Sequence, residues 1–209
     1  MLLKDLSVKD FVAETSSDSP APGGGSVSAL AAAQAAALLG MVANLTVKSK
    51  KYEEVHEEMK KYVDELKELE LDFVEDIDRD SNSFNGVMAA FKLPKETEEE
   101  KKLRSEKIQE EYKKAAKVPF NVGIKTMKLL DYAPALIEKG NSNAITDVGV
   151  GLLNLKLAIT GAFYNTKINL GSIKDEAFVS DLKKQMADAL KEVEEKTAPL
   201  LAKVESMIE

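Results

Sequence analysis

SVSALAAAQAAALLGMVANLTV, residues 26–47, carries no charged side chain and consists almost entirely of Ala, Leu, Val and other small residues. Alanine is the strongest helix former, and nothing in the run alternates with a period of two, so one helix is predicted here. All its faces are small or apolar. Such a helix must be covered on every side, by a large core or by another subunit. Alanine gains little in lipid, and Ser28, Gln34 and Asn44 interrupt the run, so a buried helix is expected rather than a membrane span. A second run of this kind extends from Asn143 to about Ile168, with Gly149, Gly151 and Gly161 permitting close approach of a neighbour. Two nearly apolar helices in a chain of 209 residues point to an obligate oligomer, most simply a symmetric dimer.

The flanking segments are helical too. Ser7 and Asp10 open a short helix over Val8–Thr15, and SSDSPAPGGGS, residues 16–26, is made of turn formers. From Tyr52 to Phe91 apolar residues recur in steps of three and four, which predicts a long amphipathic helix with a bend near Asn82–Gly86. Leu93–Pro94 ends it. Residues 95–114 are charged and read as a solvated helix from Thr97, with a kink expected at Pro119. DYAPALIEKGNSN, residues 131–143, reads as a second break. Ser172 with Asp175 is the predicted start of the last helix, whose stripe includes Phe178, Leu182, Met186, Leu190 and Val193. With no linker and no internal repeat, the prediction is one all-α domain over residues 1–209, a bundle of long antiparallel helices.

Composition closes several routes. The chain has 29 basic and 36 acidic residues, a net charge of −7, which argues against nucleic acid as the main partner. It has no Cys and a single His, His56. Disulfides, thiolate nucleophiles, iron–sulfur clusters and histidine-rich metal sites are thereby excluded, and no metal is expected. His56 sits among charges and reads as a surface residue. The N-terminus shows no long apolar leader, and a cytoplasmic location without membrane association is expected.

Three places hold candidate chemistry. PAPGGGS, residues 20–26, runs into a helix, and its free amides suit an anion or a carbonyl. It lacks both the dinucleotide fingerprint and the Lys-Ser/Thr of a phosphate loop, and a tight turn against a neighbour is the plainer reading. Asp76, Asp78 and Asp80 lie on the long helix; a carboxylate raised in pKa by burial serves acid–base chemistry. Asp76 and Asp78 read as a solvated face, while Asp80, Ser83 and Asn85 interrupt the apolar stripe. GNSNAITD, residues 140–147, crowds Asn143 and Asp147 at a helix start. Asp147, Asn154, Asn165 and Asn169 continue along that helix. Their partners are either a neighbouring helix or a heterocyclic ligand.

Taken together, SPAPGGGSVSAL (19–30), the run from Asp80 through VMAAFKLPK (87–95), AKVPFNVG (116–123), GNSNAITDVGVG (140–151) and GAFYNTKINL (161–170) resemble the cyclodeaminase/cyclohydrolase family. The resemblance spans nearly the whole chain, with mild departures at Thr146 and Thr166. It implies an all-helical homodimer acting on a tetrahydrofolate that carries a one-carbon unit, without a cofactor. Such enzymes convert 5-formiminotetrahydrofolate to 5,10-methenyltetrahydrofolate and ammonia, or hydrolyse 5,10-methenyltetrahydrofolate to 10-formyltetrahydrofolate. On this resemblance Asp147 is the first choice for the acid–base carboxylate and Asp80 the second. Gly23, Gly24, Gly25 and Ser26, with Asn143, Asn154 and Asn165, would hold the pterin or its tail. Lys92 and Lys95 would pair with glutamate carboxylates. The alternative is a non-catalytic folate-binding or assembly module on the same scaffold.

Overall fold

A computed structural model describes residues 2–208. Seven α-helices follow one another: α1 Val8–Thr15, α2 Gly24–Lys48, α3 His56–Phe91, α4 Glu98–Thr126, α5 Ala133–Lys139, α6 Ile145–Leu170 and α7 Glu176–Ile208. No strand occurs among the described residues.

The Ala-rich helix α2 lies between α3 and α6. Ala32, Ala35, Ala36 and Ala43 are fully buried, and their small side chains bring the neighbouring backbones close. Both neighbours run antiparallel to α2. The Ser26 hydroxyl near one end donates to the Ile77 carbonyl at 2.8 Å, while Gly40 further along meets Leu66. Gly24 adjoins Asn165, Gly151 packs on Leu39, and the Asn141 amide donates to Thr46 Oγ1 at 2.8 Å. Helix α4 closes the ring, antiparallel to α3 and α6, to give an up-down-up-down four-helix body. Helix α7 packs outside against α6, where Lys156 meets Glu194 at 2.8 Å.

Several expectations change at the element ends. The long helix starts at His56, four residues after Tyr52, because residues 50–55 form a tight 3-10 turn. There Tyr52 is non-helical, and its hydroxyl accepts from the Ser142 amide at 3.1 Å. His56 is half-buried and its Nε2 meets the Ser49 carbonyl at 3.0 Å. The expected bend at Asn82–Gly86 does not interrupt α3. Helix α4 runs beside that half: Phe91 meets Tyr112 edge to face at 6.2 Å, and the Arg104 guanidinium donates to the Phe91 carbonyl at 3.1 Å. Helix α4 continues through Pro119 without a break. Proline cannot donate to the carbonyl four residues back, which is that of Ala115. The side-chain amide of Asn169 supplies the missing bond, donating to Ala115 O at 3.1 Å. The second break contains a helix of its own, α5. Asp175, not Ser172, caps α7: its carboxylate accepts from the Phe178 amide at 3.1 Å. Residues 172–174 stay outside the helix because the Gln109 amide grips Ser172 O and Lys174 N, at 2.9 and 2.8 Å.

The start of α4 is a capping box. Thr97 Oγ1 accepts from the Glu100 amide at 3.1 Å, and the Glu100 carboxylate accepts from the Thr97 amide at 3.0 Å. Thr97→Ala is expected to cost about 1 kcal/mol, read as a lower urea midpoint at unchanged slope.

Two helical stretches, Gly24–Lys48 and Ser142–Leu170, are long and apolar enough to cross a membrane by length and composition. In this fold 61% and 50% of their most apolar windows are buried within the bundle. The remainder forms one outward face. It carries Val150, Leu153, Leu157, Tyr164 and Ile168 of α6, exposed at 49, 56, 56, 64 and 76%, beside Met41 and Leu45 of α2 at 39 and 38%.

Candidate active site

Helix α2 begins level with Asp80, so the rest of α3 and the first half of α4 run on past it as a projecting hairpin. Between this hairpin, the Gly-rich turn and the C-terminal end of α6 lies a cleft of about 450 Å³. Gly23, Gly24 and Gly25 form one wall; Asp80, Ser83 and Phe84 of α3 form another; Tyr112 and Asn165 face them. Ile168 and Asn169 complete the rim. This volume suits a drug-sized heterocycle. Other hollows of about 400–490 Å³ lie elsewhere on the surface, the one between α2 and α3 among them, but none joins a Gly-rich helix start to a carboxylate withdrawn from water.

The three aspartates of α3 separate in role. Asp76 is buried, not solvated as its sequence context implied. It forms an ion cluster with Arg79, at 2.7 Å, and Lys125. Asp78 accepts the amides of Leu3 and Lys4 at 2.7 and 3.1 Å, tying the N-terminal turn to α3 instead of facing water. Asp80 alone turns into the cleft, against the first turn of α2. Gly25 is required there: a Cβ on it would fall within the Asp80 carboxylate. Ser26 Oγ approaches Asp80 Oδ2 at 3.4 Å while donating to Ile77 O. Burial pushes the Asp80 carboxyl up to about 6; the hydroxyl and amide of Ser26 pull it back, and nearby Asp76 adds a smaller upward push. Desolvation outweighs the favourable field of a helix N-terminus. The result is an acid that gains and loses a proton near neutral pH, as general acid–base chemistry requires.

Opposite Asp80, the Asn165 amide nitrogen donates to Gly161 O at 2.8 Å. A Cβ on Gly24 would lie 2.9 Å from that nitrogen, so this glycine too is set by close approach. The Asn169 nitrogen is engaged by Ala115 O and Asn165 O. Both amides are held in place through their nitrogens, which leaves their oxygens as acceptors for a ligand.

The structure thus joins Gly23, Gly24, Gly25, Ser26, Asp80 and Asn165 at one cleft. It places the other sequence candidates elsewhere. Asp147 lies eighteen residues before Asn165 on α6, about 27 Å along the helix at 1.5 Å per residue. Asn143 is exposed, and Asp147 and Asn154 are half-buried on the α2/α6 face. Lys92 and Lys95 sit exposed at the tip of the hairpin, outside the cleft lining. Sequence reasoning missed Phe84 and Tyr112 as cleft residues. Tyr112 sits in a charged stretch whose pattern reads as solvated, and only the packing of the hairpin turns it inward. Among the described residues, no three His, Asp or Glu side chains gather so as to hold a metal ion.

Known proteins resemble this helical bundle over most of its length. The family model for formiminotransferase-cyclodeaminase matches residues 7–188. The chain is 36% identical to a methenyltetrahydrofolate cyclohydrolase of Methylorubrum extorquens, over 88% of this chain and 89% of that protein. It is 34% identical to the formimidoyltransferase-cyclodeaminase of Gallus gallus, over 93% of this chain but 36% of that longer protein. The crystal structure of formiminotetrahydrofolate cyclodeaminase from Thermotoga maritima superposes with a TM-score of 0.79 at 32% identity, covering 98% of this chain and 96% of that one. The chain belongs to the formiminotransferase-cyclodeaminase family.

Proposed function

We propose that this chain is a one-carbon tetrahydrofolate enzyme in which Asp80 moves the proton as the bridge between N5 and N10 closes or opens. The observation that carries the reading is the carboxyl of Asp80, raised to about 6, in a cleft of about 450 Å³ beside two fixed amide acceptors. Those acceptors, Asn165 and Asn169, match the N–H edge of a pterin. Relatives of similar length include both a cyclohydrolase and a cyclodeaminase, and the same residues serve either reaction.

In the closing direction, N10 attacks the formimino carbon and its proton passes to the Asp80 carboxylate. The formimino nitrogen, which enters as an amidinium and becomes an amine on addition, takes that proton from Asp80 and leaves as ammonia, and the cationic methenyl bridge remains. In hydrolysis Asp80 takes a proton from water attacking the methenyl carbon; the carbon–N5 bond breaks and N5 recovers a proton, leaving the formyl group on N10. The ionised carboxylate also stabilises the cationic bridge in a site partly withdrawn from water. No cofactor takes part in this scheme, and we place the protein in the cytoplasm as a homodimer seated on the apolar α2/α6 face.

The test follows the near-ultraviolet absorbance of the methenyl bridge. Signal that rises from 5-formiminotetrahydrofolate with release of ammonia identifies a cyclodeaminase. Signal lost from 5,10-methenyltetrahydrofolate faster than in buffer identifies a cyclohydrolase. In either case kcat/KM is expected to rise with pH around an apparent pKa near 6, where Asp80 ionises. Silence with both substrates from a folded dimer overturns the enzyme reading and leaves a binding module.

A further inference from the structure

The outward face of α2 and α6 has a pattern of its own. Across both helices the charged residues are Lys48, Asp147, Lys156 and Lys167. Lys156 turns away to Glu194 of α7. Between Asp147 and Lys167 the face is therefore uncharged, a stripe of Val150, Leu153, Leu157, Tyr164 and Ile168 flanked by Met41 and Leu45. Side chains of this size, exposed to this degree, present on the order of 600 Å² of apolar surface. That is near the upper limit for a monomer and approaches the ~800 Å² each partner buries in a standard interface.

The stripe is centred on Leu157. Asp147 and Lys167 lie ten residues to either side, Val150 and Tyr164 seven, Leu153 and Gly161 four. One end of the stripe, Ile168, lines the Asp80 cleft. The other end holds Asn143 and Asp147, whose side chains form no hydrogen bond or ion pair within the described residues of this chain.

We propose that two copies pack antiparallel through this face, about a two-fold axis near Leu157, so that the Asn143–Asp147 end of one subunit completes the Asp80 cleft of the other. The occupant of the face is a second copy because the pattern is self-complementary. Antiparallel packing sets Leu153 against Gly161 of the partner subunit, large against small, and Val150 against the partner's Tyr164. It brings Asp147 level with Lys167 of the partner subunit, whereas a parallel pairing sets aspartate against aspartate and lysine against lysine. It also brings Thr146 level with the partner's Ile168, at the rim of the cleft. Within one chain Asp147 and Asn165 are held about 27 Å apart by the helix, so only a partner can unite them. Asp147 then adds a second carboxylate to a site that must hold a cationic bridge and the amino groups of a pterin. This assignment rests on the folate reading of the cleft.

Two experiments test it. In the first, Asp80→Asn and Asp147→Asn are each expected to lower turnover at least tenfold. Unfolded together and refolded as a mixture, they should regain about one quarter of wild-type activity: half the dimers are mixed, and each mixed dimer rebuilds one intact site of two. No recovery while native mass spectrometry shows mixed dimers overturns the shared site, as does an Asp147→Asn protein of undiminished activity. The second needs no substrate, so it stands whether or not the folate reading survives. The chain has no cysteine of its own. Thr146→Cys with Ile168→Cys in one chain should give a covalent dimer on mild oxidation, and neither substitution alone should. Cross-linking by Thr146→Cys alone, no cross-link at all, or a monomeric wild type in sedimentation equilibrium overturns the arrangement.

Discussion

Asp80→Asn is expected to lose turnover by a factor of about 10² to 10⁴, the usual worth of a positioned acid–base group, while the protein becomes more stable at neutral pH. The two effects share one cause. Burial raises the folded-state carboxyl from 3.8 to about 6. As pH rises through that window the unfolded chain releases this proton first, so folding stability falls between about pH 4 and 6 and stays lowered above it. The shift corresponds to at most about 3 kcal/mol at 1.36 kcal/mol per pKa unit. An amide at position 80 keeps an oxygen for the Ser26 amide and never ionises. Urea denaturation at pH 8 should show Asp80→Asn stabilised by about 1–3 kcal/mol, with the gain gone at pH 4. A variant that loses both turnover and stability at pH 8 would point to a structural role for the carboxylate.

Gly25→Ala carries the second large effect. The added methyl meets the Asp80 carboxylate, and neither helix can yield easily: Ser26 beside it is buried and bonded to Ile77 O. Overpacking of this kind costs about 1–3 kcal/mol. The greater loss should be in kcat, at least tenfold, because the displaced group is the one that handles the proton. Gly23→Ala is the matched control. Its nearest neighbour would be the Pro20 carbonyl at 3.8 Å, ordinary contact, so stability should stay near wild type. Equal behaviour of the two variants in denaturation would remove close approach as the reason for Gly25.

Much of this is legible in the amino-acid sequence. The uncharged run 26–47 dictated a covered helix, and the three-and-four spacing from Tyr52 to Phe91 dictated its long amphipathic neighbour. PAPGGGS marked one wall of the cleft. The desolvation that singles out Asp80 was not legible. Asp147 stands in the denser polar motif, but motif density says nothing about desolvation. Asp80 owes its raised pKa to the end of a helix that begins more than fifty residues earlier. Asp76 and Asp78 read as solvated because their partners, Lys125 and the amides of Leu3 and Lys4, are distant in sequence. Pro119 leaves α4 unbroken for a related reason: the group that takes over the lost hydrogen bond lies on another helix.

That repair bears on how the cleft meets a ligand. The amide nitrogen of Asn169 is committed to Ala115 O and Asn165 O before any small molecule arrives. Its oxygen is therefore already aimed, and little rotational freedom remains to be lost when a donor docks against it. Pro119, buried one helical turn beyond the cleft lining, thus acts as a device for preorganisation: by leaving the Ala115 carbonyl in need, it recruits the neighbouring asparagine and fixes the acceptor that the ligand will find.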